Sequence, residues 1–174
     1  MPTDQDSALV VRRARIADVR KIKALVDSDA GRVLLEKELV TLYENVQEFW
    51  VAEQAGEVLG CGALHVLWED IAEVRTIAVA KQARGQGIGY ALVGQLLDLA
   101  AELGLRRVFV LTFETSFFAR HGFTEIDGTP VTQEVYDEMR RSVDPGVAEF
   151  LDLPFVKPNT LGNARMLLEL DQRP

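Results

Sequence analysis

The 174-residue sequence predicts an α/β (α+β) protein. Three observations carry that reading. Short Val- and Ile-rich runs alternate with segments whose apolar residues recur every three or four positions, so strands and helices interleave. Three of the strands follow one another across tight turns only, which makes an antiparallel meander. The last of them runs into a glycine-rich loop, and a long amphipathic helix follows.

The elements follow in order. Residues 1–8 are polar and read as a flexible N-terminus, leaving 9–174 as one domain. Leu9–Arg13 is Val-rich and strand-like. From Asp18 to about Ala30, Val19, Ile22, Leu25 and Val26 fall at helical spacing, and Gly31 follows as a stop. Leu39, Leu42, Tyr43 and Val46 predict a second helix over Lys37–Val46. Phe49–Glu53 and Val58–Trp68 are strands joined by the turn Ala55-Gly56-Glu57. Glu69-Asp70 turns the chain again into the strand Ile71–Val79. Lys81–Gly89 is the glycine-rich loop. Ile88, Leu92, Leu96, Leu99 and Leu103 then form one apolar stripe of a helix that Gly104 ends. Arg107–Thr112 is a buried strand, Ser116–His121 a short helix, and Gly122-Phe123 opens another strand. Thr129-Pro130 reads as the cap and first position of a helix running to about Ser142, and Pro145-Gly146 as a break. Residues 149–163 read as irregular and Ala164–Leu170 as a last strand. No internal repeat interrupts this order.

Composition narrows the function. Nineteen Lys and Arg against 27 Asp and Glu leave a net charge of −8, which argues against nucleic-acid binding. Charges break every apolar run well short of a membrane span. The N-terminus lacks a basic stretch followed by an apolar run, so cytoplasmic residence is expected. Cys61 is the sole cysteine, and His65 and His121 are the only histidines. Neither a disulfide nor a metal centre is expected from that set.

The segment from Ile77 to Gly89 carries the clearest chemistry. A strand ends, glycines allow sharp turns, and a helix N-terminus presents N–H donors and partial positive charge. That combination suits a phosphate or pyrophosphate. A Walker loop would need Gly-Lys followed by Ser or Thr, which is missing. Gly85, Gly87 and Gly89 alternate and do not match the dinucleotide order G-x-G-x-x-G. They do match R/Q-x-x-G-x-G/A through Arg84, Gly87 and Gly89. A glycine-rich turn without a ligand is the alternative.

With this loop, the element order and the second motif Phe117-Phe118-Ala119-Arg120-His121-Gly122-Phe123, the chain resembles the GNAT acetyltransferase superfamily over nearly its whole length. The stretches LLEKELVTLYENVQEFWVAE, GCGALHVLWED, EVRTIAV and GVAEFLDLPFVKPNTLGNARML further resemble stand-alone actinobacterial amino-acid N-acetyltransferases of the N-acetylglutamate synthase type. The resemblance implies a mixed, mostly antiparallel sheet of six to seven strands flanked by helices. It implies acetyl-CoA as donor and an amino acid, glutamate or glutamine, as acceptor, at the entry to arginine biosynthesis. A homodimer is a candidate assembly. The cofactor residues so implied are Ile77, Ala78 and Val79, whose backbone pairs with pantetheine. The amides of Arg84, Gly85, Gln86, Gly87, Ile88 and Gly89 would hold the pyrophosphate. Phe118 stands where many members carry a tyrosine that protonates the departing thiolate, so the general acid is open.

The remaining candidates have two readings each. Glu73 matches a position where several members carry a catalytic carboxylate, and it is equally a partner for a neighbouring strand's arginine. Arg75, two positions on, faces the same side. It either grips the acceptor's carboxylate or forms a structural ion pair. His65 is either a base or a packed residue, and His121 reads as a capping or surface residue. Arg32, Lys37, Lys157 and Arg165 are candidate donors to an anionic acceptor, or solvated charges. Asn159 and Asn163 either contact substrate or cap turns. Two other functions compete: acetylation of a protein, polyamine or drug amine, and a non-catalytic acyl-CoA sensor.

Overall fold

The computed structural model describes residues 8–29 and 38–174. Seven strands form one sheet in the order β1-β2-β3-β4-β5-β7-β6. The strands are β1 (Val10–Arg13), β2 (Phe49–Gln54), β3 (Glu57–Trp68), β4 (Ile71–Val79), β5 (Arg107–Thr112), β6 (Thr124–Glu125) and β7 (Ala164–Glu169). Seven helices are described: α1 (Val19–Asp29), α2 (Leu39–Glu44), α3 (Ile88–Glu102), α4 (Thr115–Ala119), α5 (Gln133–Met139), α6 (Pro145–Phe150) and α7 (Lys157–Thr160). The chain divides into two compact units, residues 1–65 with 74–103, and residues 66–73 with 104–174.

In the first unit, β1 and β3 flank β2 antiparallel, with Val11 opposite Ala52 and Val51 opposite Cys61. A register shift falls between Ala52 and Glu53. The α1 stripe of Val19, Ile22, Leu25 and Val26 joins Leu42, Val51, Cys61, Ala78, Ile88 and Leu92 in one core. Burying such a side chain contributes roughly 1.5–3 kcal/mol, so this stripe is what holds α1 in place. The turn into α1 is fixed by charge. Arg12 forms ion pairs with Asp18 at 2.8 Å and Glu53 at 2.7 Å. Hydrogen bonding to Arg12 holds the Asp18 carboxyl below its usual range. The apolar stripe of α3 stops at Leu99. Leu103 lies beyond the last helical residue and is 57% exposed.

In the second unit, β4 pairs in parallel with β5 over Ile71–Glu73, and β7 lies antiparallel between β5 and β6. Its core holds Leu67, Ile71, Phe109, Met139, Val147, Phe150 and Leu151, with Phe109 and Phe150 edge to face at 4.9 Å.

Three expectations about this unit are corrected. The helix predicted to open at Thr129-Pro130 starts at Gln133, capped by Thr132, whose hydroxyl accepts from the Val135 N–H. Thr129 instead donates to the Phe150 carbonyl. Pro145-Gly146 does not break the chain. Asp144 caps α6 by accepting from the Val147 N–H, and Pro145 takes the first helical position, where its missing N–H costs nothing. The span 149–163 is not irregular throughout, since it contains the end of α6, a 3₁₀ turn at Pro154–Val156 and α7.

Candidate active site

The glycine-rich loop is shaped by backbone. After β4 the Ala80 N–H donates to the Leu59 carbonyl, and a 3₁₀ turn over Lys81–Ala83 redirects the chain. Gly85 and Gly87 have φ of +79° and +82°, a region that side-chain-bearing residues avoid. A Cβ on either would meet nothing within 4 Å, so dihedral angle and not space demands glycine there. Gly87 is the N-cap of the 15-residue α3, and the helical ladder begins with Ala91 N–H donating to its carbonyl. The N–H groups of Ile88 and Gly89 therefore lie ahead of the ladder, where the helix dipole favours an anion. Arg84, Gly85, Gln86 and Gly87 are exposed, while the Ile88 side chain is buried and anchors the turn.

On β4, Ala78 is buried, and Ile77 and Val79 are half-buried. Just before them Thr76 has φ of +60° inside the strand. For a β-branched residue this is a strained conformation, costing roughly 1–3 kcal/mol. The buried Cys61 thiol donates to the Thr76 carbonyl at 3.7 Å. Nothing in the run EVRTIAV signals this distortion, and the sequence reading missed it.

Glu73 and Arg75 stand two apart on β4, ahead of the distortion. Glu73 is only 5% exposed, and Arg75 is half-buried. In register, Glu73 lies opposite Phe109 of β5, and Phe109 lies opposite Leu167 of β7. The Arg165 guanidinium stacks 4.9 Å over the Phe109 ring and interacts electrostatically with Glu73. Burial lowers the Arg165 pKa, while the charges of Asp152 and Glu73 oppose that shift.

Arg165, a candidate donor to the acceptor, is already engaged within its own unit. Its N–H groups donate to the carbonyls of Gly128, Glu149 and Phe150, so it pins the backbone of this unit. Lys157 pairs with Asp152 at 2.8 Å on the surface. Arg32 and Lys37 lie outside the described residues, as does the Asn159 side chain. The Asn163 side-chain oxygen is buried without a hydrogen-bond partner among the described residues.

His65 is held by a carboxylate, its Nδ1 2.7 Å from Glu48 Oε1. That pairing depends on the β2–β3 register, so sequence spacing gave no sign of Glu48. His121 is not a surface residue. It is 4% exposed, beside Phe117, and burial with the charges of Arg173 and Arg120 pushes its pKa down to about 4. Phe118 is packed edge to face against Phe117 and Phe123. No group of metal-binding side chains occurs among the described residues, and no described helix is long and apolar enough to cross a membrane.

A glycine-shaped loop at a helix start suits an anion such as a pyrophosphate, and a buried carboxylate suits proton transfer from an amine. Comparison with known proteins follows from the chain as a whole. Residues 19–124 match the acetyltransferase (GNAT) family. An amino-acid acetyltransferase of Mycobacterium tuberculosis is 68% identical over 95% of this chain and 97% of its own. A Mycobacterium tuberculosis protein solved with CoA and NLQ is 69% identical, covers 92% of this chain and 98% of its own, and superposes with a TM-score of 0.91. The N-acetylglutamate synthase of Neisseria gonorrhoeae, complexed with coenzyme A and N-acetyl-glutamate, shares the fold at 24% identity and a TM-score of 0.74. It covers 94% of this chain, which spans 35% of its length. The chain therefore belongs to the GNAT family of acetyltransferases.

Proposed function

We propose that this acetyltransferase moves the acetyl group of acetyl-CoA to the α-amine of glutamate or glutamine, at the entry to arginine biosynthesis. The observation that carries the reading is the 68% identity to an amino-acid acetyltransferase across 95% of the chain. Acetyl-CoA supplies an activated thioester. The chain's own groups do the rest. The amides of Arg84–Gly89 hold the pyrophosphate, and the β4 backbone from Ile77 to Val79 lines the pantetheine. Glu73 takes the proton that the incoming ammonium must lose, in a setting that excludes most water. Arg75 holds the α-carboxylate, which places the α-amine near Glu73. His65, oriented by Glu48, is the second candidate base. Phe118 has no proton to give, so the thiolate leaves unaided or takes the proton released by the amine. The enzyme works in the cytoplasm, with a homodimer as a candidate assembly.

A panel of amino acids, spermidine, lysine and a basic peptide, read by release of free CoA, tests this. Glutamate or glutamine should exceed spermidine, which has no α-carboxylate for Arg75 to hold, by roughly ten- to hundredfold, the worth of one charge-assisted contact. Faster turnover of spermidine would end the amino-acid reading and leave the family membership standing.

A further inference from the structure

The geometry points to Gly60 as a positioning residue for the donor: its missing side chain sets how deeply the start of α3 seats against β4. The inference rests on the reading of Arg84–Gly89 as the pyrophosphate cradle. Gly60 lies on β3 opposite Ala52 of β2, and it is buried. Unlike Gly85 and Gly87, it is not among the residues of positive φ, so its backbone does not call for glycine. Space does. A Cβ at Gly60 would stand 2.9 Å from Ile88 Cγ2, 3.0 Å from Leu92 Cδ1 and 3.3 Å from the Ala78 carbonyl oxygen. Ordinary carbon contacts lie near ~3.5–4.0 Å, so one added methyl must displace something by roughly half an ångström or more.

The three atoms belong to the two elements that form the cradle. Ile88 is the first residue of α3, and its N–H lies at the mouth of the loop. Its Cγ2 branches from Cβ and cannot swing away as the end of a long side chain can. Ala78 sits in the stretch of β4 assigned to pantetheine. Neighbouring bonds hold β3 to this part of β4: Ala80 N–H to the Leu59 carbonyl, and the Cys61 thiol to the Thr76 carbonyl. With β3 and β4 tied on both sides of Gly60, the added methyl pushes on the helix. The loop amides then move relative to the strand while the acceptor's contacts stay in place.

The test is steady-state kinetics on the full chain, with CoA affinity measured by calorimetry. Gly60→Ala should raise the acetyl-CoA KM and the CoA Kd about tenfold, the scale of a sub-ångström misplacement, with the amino-acid KM within about twofold. Ile88→Leu removes the offending Cγ2, so Gly60→Ala/Ile88→Leu should recover most of the lost affinity. Val51→Ala, a deletion in the same core, lowers Tm while leaving the acetyl-CoA KM within about twofold. An acetyl-CoA KM unchanged in Gly60→Ala overturns the inference. So does a rise shared equally by both substrates. If Gly60→Ala does not fold, the double variant decides: folding with near-parental CoA affinity supports the seat, and failure to fold overturns it. Gly87→Val separates the two readings. If it leaves CoA affinity intact, the cradle itself is wrong. If it weakens CoA while Gly60→Ala does not, only the seat falls.

Discussion

The two compact units use opposite means to present polar groups. In residues 74–103 the chemistry is written in backbone. Two glycines in left-handed conformations and one helix start shape the loop. In residues 104–174 the backbone is instead the thing being satisfied. Arg165 takes the carbonyls of Gly128, Glu149 and Phe150, and Arg107 takes the carbonyl of Pro130. A backbone-built anion site tolerates many side chains but not a changed dihedral angle. A scaffold tied by arginine side chains depends on those arginines.

The largest effect should come from Glu73. Glu73→Gln keeps the shape and removes the proton acceptor. Turnover should fall by about 10²–10⁴-fold, the usual worth of a general base, with CoA Kd nearly unchanged. A loss under about twofold across pH would move the base to His65 and its Glu48 partner.

Next in size is Gly87→Val, which attacks the backbone-built half. A β-branched residue at φ of +82° is strained, and the N-cap must rotate to relieve it. CoA affinity should fall by roughly thirtyfold, about 2 kcal/mol, by calorimetry. Because a Cβ there meets no neighbour, the core should keep its packing, and the loss of stability should be limited to the backbone strain of roughly 1–3 kcal/mol.

His121 sharpens the picture of the second unit through pH. In the unfolded chain its imidazole takes a proton near pH 6.5, and in the fold only near 4. Between those values the unfolded state binds more protons, so stability is fully present above pH 6.5 and is lost as pH falls toward 4. The loss approaches roughly 3 kcal/mol by pH 4 in urea titrations, and His121→Phe should flatten that part of the profile. Asp18, whose pKa is held down by Arg12, adds a separate loss only below its ordinary value of 3.8. A steep fall persisting in His121→Phe between pH 6.5 and 4 would mean another buried group titrates there.

Legibility in the sequence follows the same division. The α3 stripe, the meander and the glycine loop were readable because each is a local pattern of spacing or of residues with special dihedral preferences. The loop 128–130 and the start of α6 were misread for a physical reason. Thr129 and Thr132 are equivalent cap candidates in TPVTQE until Phe150, far along the chain, accepts the Thr129 hydroxyl. Pro145-Gly146 signals a break until Asp144 is seen as a cap. Glu48 beside His65 and Arg165 beside Glu73 arise from strand register, which no local pattern carries. Thr76 is the extreme case, a β-branched residue in a strand whose dihedral angle contradicts its own preference.

The smallest expected effect tests a side chain that charge alone would assign to the acceptor. Lys157 was a natural donor for an anionic substrate in a chain of net charge −8. Its ammonium instead meets Asp152 at 2.8 Å, and both side chains are substantially exposed. Exposed pairs of this kind contribute ~0.2–1 kcal/mol at most, because water screens the attraction and ordering two side chains costs entropy. Lys157→Ala should therefore leave Tm almost unchanged and the amino-acid KM within about twofold. The effect should shrink further in higher salt. A KM rise above about tenfold, with acetyl-CoA KM unaffected, would give Lys157 a direct contact with the acceptor. The surface charges of the second unit would then take part in binding the acceptor.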